Sequence, residues 1–145
     1  MFSDCASLVS IIIPQGIDKL HGILYTGCLS LESIDIPDNA ESISTAVFSD
    51  RSSLANIAFP RGTTNIPDYA FKSCESLRAV RIPQGMTSIG KFTFNLCDAL
   101  ESITWPAGLA GIGHQPFAWC ASLTGTALPD SVKSIGEEVF CSATT

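Results

Sequence analysis

Six cysteines, two histidines and a set of regularly placed serines are the side chains with chemistry to offer in this 145-residue chain. Cys5, Cys28, Cys74, Cys97 and Cys120 share one position of a 23-residue interval, and Arg51 stands where the series would place another. Zinc-binding cysteines come in pairs two to four residues apart. No two cysteines here are that close, so no metal site is expected. A disulfide scaffold is the other reading of such a count. Stacked coils ~4.8 Å apart would allow the Cα distance of a bridge. Side chains of one column point the same way, however, and the expectation is a stack of reduced, buried thiols packing as small apolar groups. Cys141 follows an aromatic and falls outside the column.

His21 and His114 lie four units apart, roughly 20 Å at ~4.8 Å per coil. They can share neither a metal nor a proton and read as surface turn residues. Ser7, Ser30, Ser53, Ser76 and Ser122 recur at one unit position. A nucleophile is a singular residue with a base beside it; a periodic serine is expected to satisfy backbone groups of a turn. The glycines follow the repeat and form neither a Walker-type nor a dinucleotide-type motif. No catalytic residue and no cofactor is therefore expected, and the chain does not read as an enzyme.

The interval that carries these residues organises the whole chain. An aromatic recurs at Phe2, Tyr25, Phe48, Phe71, Phe94, Phe117 and Phe140, and a proline at Pro14, Pro37, Pro60, Pro83, Pro106 and Pro129, without insertion or deletion. Such self-similarity marks stacked supersecondary units. Counting the aromatic as position one gives units 2–24, 25–47, 48–70, 71–93, 94–116, 117–139 and a partial 140–145, all within a single domain 1–145. Positions ten (Ile11, Ile34, Ile57, Val80, Ile103, Thr126) and twelve (Ile13, Ile36, Phe59, Ile82, Trp105, Leu128) alternate with outward positions nine and eleven, the period of a short half-buried strand. The proline ends that strand. Gly16, Gly62, Gly85 and Gly108 follow two residues later, where a turn with positive φ is expected. Apolar positions one, four and seven suit a brief helical or 3₁₀ turn. About seventeen residues join successive strands, enough for a parallel crossover. The expected fold is an α/β solenoid of about six repeats, with short parallel strands on one face and helical or 3₁₀ turns on the other.

The string Leu-x-x-Ile-x-Ile-Pro, then Ile-Gly and Ala-Phe-x-x-Cys-x-Ser-Leu, resembles the BspA-type leucine-rich repeat. It is clearest in Ile66 to Pro83, IPDYAFKSCESLRAVRIP, and extends over essentially the whole chain. The chain departs from the general leucine-rich pattern in placing glycine, once Asn39, where Asn or Cys would form a ladder; its cysteines stand on the turn before the leucine. The resemblance implies a surface or secreted protein of the kind found in bacteria and protists and involved in adhesion.

Net charge of −6 argues against a nucleic-acid partner or an anionic membrane. No apolar run of about 20 residues exists to span a bilayer. Met1 runs directly into the first unit, so no signal peptide is expected among these residues. Neither end shows a polar cap, so continuation into further repeats, or end-to-end association, is expected.

The units differ on the outward side of the strand, the usual binding surface of leucine-rich solenoids. Arg78 and Arg81 are expected to project together with Arg61 near them. Glu32, Asp35 and Asp38 lie one or two coils away, and Glu101 on the far side. The functional reading is a recognition patch for a protein or glycan; the plain one is a solvated face of mixed charge. Trp105 falls in an inward column and reads as core. Trp119 falls on the opposite turn and is a possible anchor. Arg51 replaces a cysteine, a costly place for a charge unless it snorkels out or pairs with Asp50. Two functions fit: a recognition segment, or a structural spacer within a larger protein.

Overall fold

The structure, a computed structural model, describes residues 5–17, 19–20, 28–40 and 42–142. Phe2, His21 and Tyr25 lie outside them. Five coils each carry two short strands: β1 (Ser10–Ile12) and β2 (Lys19–Leu20), β3 (Ser33–Asp35) and β4 (Ser42–Ile43), β5 (Asn56–Ala58) and β6 (Asn65–Ile66), β7 (Ala79–Arg81) and β8 (Ser88–Ile89), and β9 (Ser102–Thr104) and β10 (Gly111–Ile112). The sixth carries only β11 (Ser134–Ile135). Every pairing is parallel and in repeat register, as in Ile11 opposite Ile34 opposite Ile57.

The three-residue strands form ladders β1-β3-β5 and β7-β9, and the two-residue strands form β2-β4 and β11-β10-β8-β6. β5 and β7 are neighbours in space without being ladder partners. The first strand face is thus interrupted at its middle.

Between the two strand faces the repeat columns fill the interior. Leu31, Leu54, Leu77 and Leu100 are fully buried. Phe48, Phe71, Phe94, Phe117 and Phe140 stack in a file with centroid spacings of 5.3, 5.4, 5.4 and 5.7 Å. Burying an aromatic or Leu side chain stabilises by roughly 1.5–3 kcal/mol, and each coil buries several at once.

The third side of the coil departs from expectation: among the described residues it holds neither α-helix nor 3₁₀-helix. Two residues per unit, four apart, take left-handed backbone: Ala46 and Asp50, Tyr69 and Ser73, Phe92 and Leu96, Gln115 and Trp119, Glu138 and Ser142. A right-handed helix cannot run through such residues. Alternate N–H groups instead point to the next coil. Tyr69, Phe71 and Ser73 donate to the carbonyls of Lys91, Thr93 and Asn95 at 2.9, 2.8 and 2.8 Å. The intervening Lys72 and Cys74 donate within the turn, to Tyr69 and Phe71. Stacked turns thereby close a further ladder and satisfy backbone donors that a helix would have kept to itself.

Three more expectations are corrected. The sixth coil has no strand around Thr126, where Gly125 turns at φ +60° and Trp105 Nε1 donates to Thr126 Oγ1 at 2.8 Å. Gly16, Gly62, Gly85 and Gly108 do not use positive φ. The glycines that matter for packing are Gly90, Gly113 and Gly136, where the coils touch most closely: a Cβ on Gly113 would lie 2.6 Å from the Gly90 carbonyl carbon. Among the described residues the position-six turns at Ser76 and Ser122 are bonded by backbone, their N–H groups donating to Ser52 and Asp98 at 3.0 and 3.1 Å, rather than by the serine hydroxyls.

Candidate functional site

The cysteine column is an internal hydrogen-bond file. Each thiol lies over the aromatic turn of the preceding coil: Cys74, Cys97 and Cys120 Sγ donate to the carbonyls of Phe48, Phe71 and Phe94, each at 3.2 Å. Those three thiols are free and buried. Burial pushes Cys74 and Cys120 up to about 12 and Cys97 well above the ordinary thiol value. Thiols that resist ionisation are poor nucleophiles and poor metal ligands. Cys28 is buried in the same column, and Cys5 and Cys141 are half-buried. Among the described residues no group of three or more His, Cys, Asp or Glu could hold a metal ion. His114 packs edge-on against Phe92 at 5.4 Å with Glu137 3.9 Å away, a surface arrangement.

Arg51 neither snorkels nor pairs with Asp50. Its residue is only 5% exposed, and its Nε finds no hydrogen-bond partner. Asp50 instead accepts from Ser49 Oγ at 3.1 Å. Burial lowers the pKa of the guanidinium, with Cys28, Cys74 and Asp50 acting the other way.

The residues that differ between coils are displayed on the first strand face. Glu32, Asp35, Asp38, Arg61, Arg78, Arg81 and Glu101 are all exposed. They do not form one cluster. Arg78, just before β7, reaches Glu101 at 3.6 Å and lines a recess of about 410 Å³ with Glu32 and Glu75. Arg81, at the end of β7, turns to a second recess of about 610 Å³ shared with Arg61. This second recess lies where the ladder is interrupted between β5 and β7, over Ile57, Phe59 and Pro83. Asp35 and Asp38 line neither recess.

The interruption of the ladder is the feature that sequence reasoning missed. Beside it stands Phe59, larger than the Ile at the same position in the neighbouring coils, whose ring makes a T-shaped contact with Phe71 at 5.6 Å. Trp105 plays the same part against Phe117 at 5.5 Å and is half-buried. On the opposite side Trp119 is 54% exposed beside the exposed Leu96, both on left-handed backbone.

Among the described residues, no helix is long and apolar enough to cross a membrane. The sequence signature of the BspA type leucine rich repeat region matches residues 1–84 and 64–145, in six copies. A leucine-rich repeat protein of T. pallidum, known from its crystal structure, is 33% identical with a TM-score of 0.89; the match covers 97% of this chain and 66% of that one. The pneumococcal vaccine antigen PcpA is 22% identical with a TM-score of 0.73, covering 94% of this chain and 38% of that one. A leucine rich cell surface protein from Faecalibacterium prausnitzii is 22% identical with a TM-score of 0.59, covering 97% and 52%. The latter two show the likeness of fold. The chain spans less than two thirds of the length of each of these proteins. No curated protein matches it. With its period, its columns and its coil geometry all of one kind, the chain belongs to the BspA-type leucine-rich repeat family.

Proposed function

We propose that the chain is a non-catalytic binding module, a segment of a cell-surface or secreted protein that recognises a protein or glycan through its first strand face. The observation that carries the reading is the contrast between columns. Inward positions repeat from coil to coil, whereas the exposed row reads Ile12, Asp35, Ala58, Arg81, Thr104, Ala127. Wide variation on an exposed face, held by a largely repeated apolar interior, is what a recognition surface on a rigid scaffold requires. The surface location of the reading is supported by one solved relative being described as a cell surface protein.

The test is a binding screen against matrix proteins and glycans, followed by an Arg78→Ala/Arg81→Ala double variant. Lost binding with an unchanged melting temperature supports the strand face. Retained binding that disappears in Trp119→Ala moves the site to the opposite turns. A chain that binds nothing in the screen counts against the strand-face reading and favours the spacer.

A further inference from the structure

Resting on the strand face being the binding surface, we infer that the recess between β5 and β7 receives an acidic protein segment. A Glu or Asp carboxylate lies between Arg61 and Arg81, and an adjoining apolar side chain covers Ile57, Phe59 and Pro83.

The chemistry of the lining selects this class. The side chains there with hydrogen-bonding capacity are Arg61, Arg81 and Gln84. A guanidinium donates and never accepts. The one side-chain acceptor, Gln84 Oε1, is directed to the Ala107 N–H at 3.4 Å, which leaves the amide NH₂ to donate. The side chains of the recess therefore offer donors to a ligand that must accept. A sugar ring brings hydroxyls that donate as well as accept, and the only lining side-chain atom able to accept from them is Gln84 Oε1, already shared with Ala107.

Charge points the same way. The chain holds 14 acidic against 8 basic residues. Among the described residues, ion pairs engage Arg78 and His114 but neither Arg61 nor Arg81. Two unneutralised guanidiniums on one recess of an acidic molecule give a local attraction for a carboxylate, which Arg binds in a bidentate fork. The floor is apolar, and Phe59 is half-buried in T-shaped contact with Phe71. It suits an aliphatic side chain next to the acid. The volume of about 610 Å³ lies within the usual range of binding pockets, roughly 300–1,000 Å³.

The experiment titrates the 145-residue chain, by ¹⁵N NMR and calorimetry, with three probes. They are a capped peptide alternating glutamate and leucine, its glutamine counterpart, and an oligogalacturonate. The glutamate peptide is expected to bind and to shift the amides of residues 57–61 and 81–85. The Arg61→Gln/Arg81→Gln variant should weaken it at least about tenfold, a loss that shrinks as salt rises. Oligogalacturonate bound as tightly, with the same arginine dependence, overturns the protein class while leaving the strand face as the binding surface. Glutamate-peptide binding that survives the double substitution, that the glutamine peptide matches, or that is absent overturns the recess. The strand-face reading itself stands or falls separately, on the Arg78→Ala/Arg81→Ala variant in the ligand screen.

Discussion

Replacing Gly113 by alanine tests how tightly the coils are stacked. The added Cβ would lie 2.6 Å from the Gly90 carbonyl carbon, 2.7 Å from its oxygen and 2.8 Å from the Lys91 nitrogen. All three are backbone atoms and cannot swing aside. Carbon atoms in contact prefer ~3.5–4.0 Å, so relief requires the two coils to part locally by about 1 Å. That displacement falls on ladder bonds that are now 2.9 Å long, from Gly113 N–H to Ile89 and from Phe92 N–H to His114. An N–H···O pair stretched to near 4 Å is no longer a hydrogen bond. Each lost bond costs about 0.5–1.5 kcal/mol, and overpacking itself about 1–3 kcal/mol. The expected penalty is therefore about 2–5 kcal/mol. Gly62→Ala is the internal control. Its Cβ would meet nothing within 4 Å, and its φ is not left-handed. That variant should be neutral or gain about 0.4–1 kcal/mol through the unfolded chain. Urea unfolding of both proteins, followed by circular dichroism, gives the comparison. Equal stabilities for the two variants would refute the close coil contact.

Arg51→Cys should stabilise the chain by about 1–3 kcal/mol, the cost of a buried unsatisfied donor; calorimetric melting at neutral pH checks it, and a lower melting temperature would show that the guanidinium makes a specific contact. The buried thiols should make the fold alkali-sensitive. Burial holds their folded pKa values above the ordinary thiol value, so an unfolded chain loses those protons first. The thiols' contribution to stability should be constant below about pH 8 and fall above about pH 9 toward 12, by up to about 1.4 kcal/mol per pH unit for each thiol; Cys97→Ala should flatten the decline. Trp119→Ala should leave stability within about 0.5 kcal/mol despite the size of the side chain, because the residue lies outside the core and on left-handed backbone; equilibrium unfolding measures this.

Much of the architecture is legible in residues 48–117. The recurrence of Phe, Cys, Leu, Ile and Pro identifies the core columns and strands, because a 23-residue register admits only one inward-facing set. The turn side is not legible in the same way. Apolar residues at a spacing of three suit a 3₁₀ turn and a train of β-turns equally. The deciding feature is left-handed backbone, and it falls on Tyr69, Leu96 and Trp119 rather than on glycine. No residue type announces it; it is imposed by the hydrogen bonds of the adjoining coil. The same holds for the recess. Arg61, Arg78 and Arg81 can be picked out as an exposed group, but their separation into two recesses follows from the interrupted ladder between β5 and β7. That interruption is a property of two coils together, whereas the repeat pattern describes one.

The stacked turns described above also govern how this molecule can change length. The N–H groups at Phe48, Phe71, Phe94 and Phe117 each meet a carbonyl 22 residues further along, while those at Gly90, Gly113 and Gly136 each reach a carbonyl 24 residues back. Copying the segment 71–93 in tandem would preserve both relations, because every new coil supplies the partners that the old one supplied. Deleting a single residue from that segment would put the strand faces and the turn ladder out of step together. Inheritance acting on such a chain is thus quantised: gain or loss of whole 23-residue coils leaves the backbone network closed, and the strand face grows or shrinks by one row of side chains at a time.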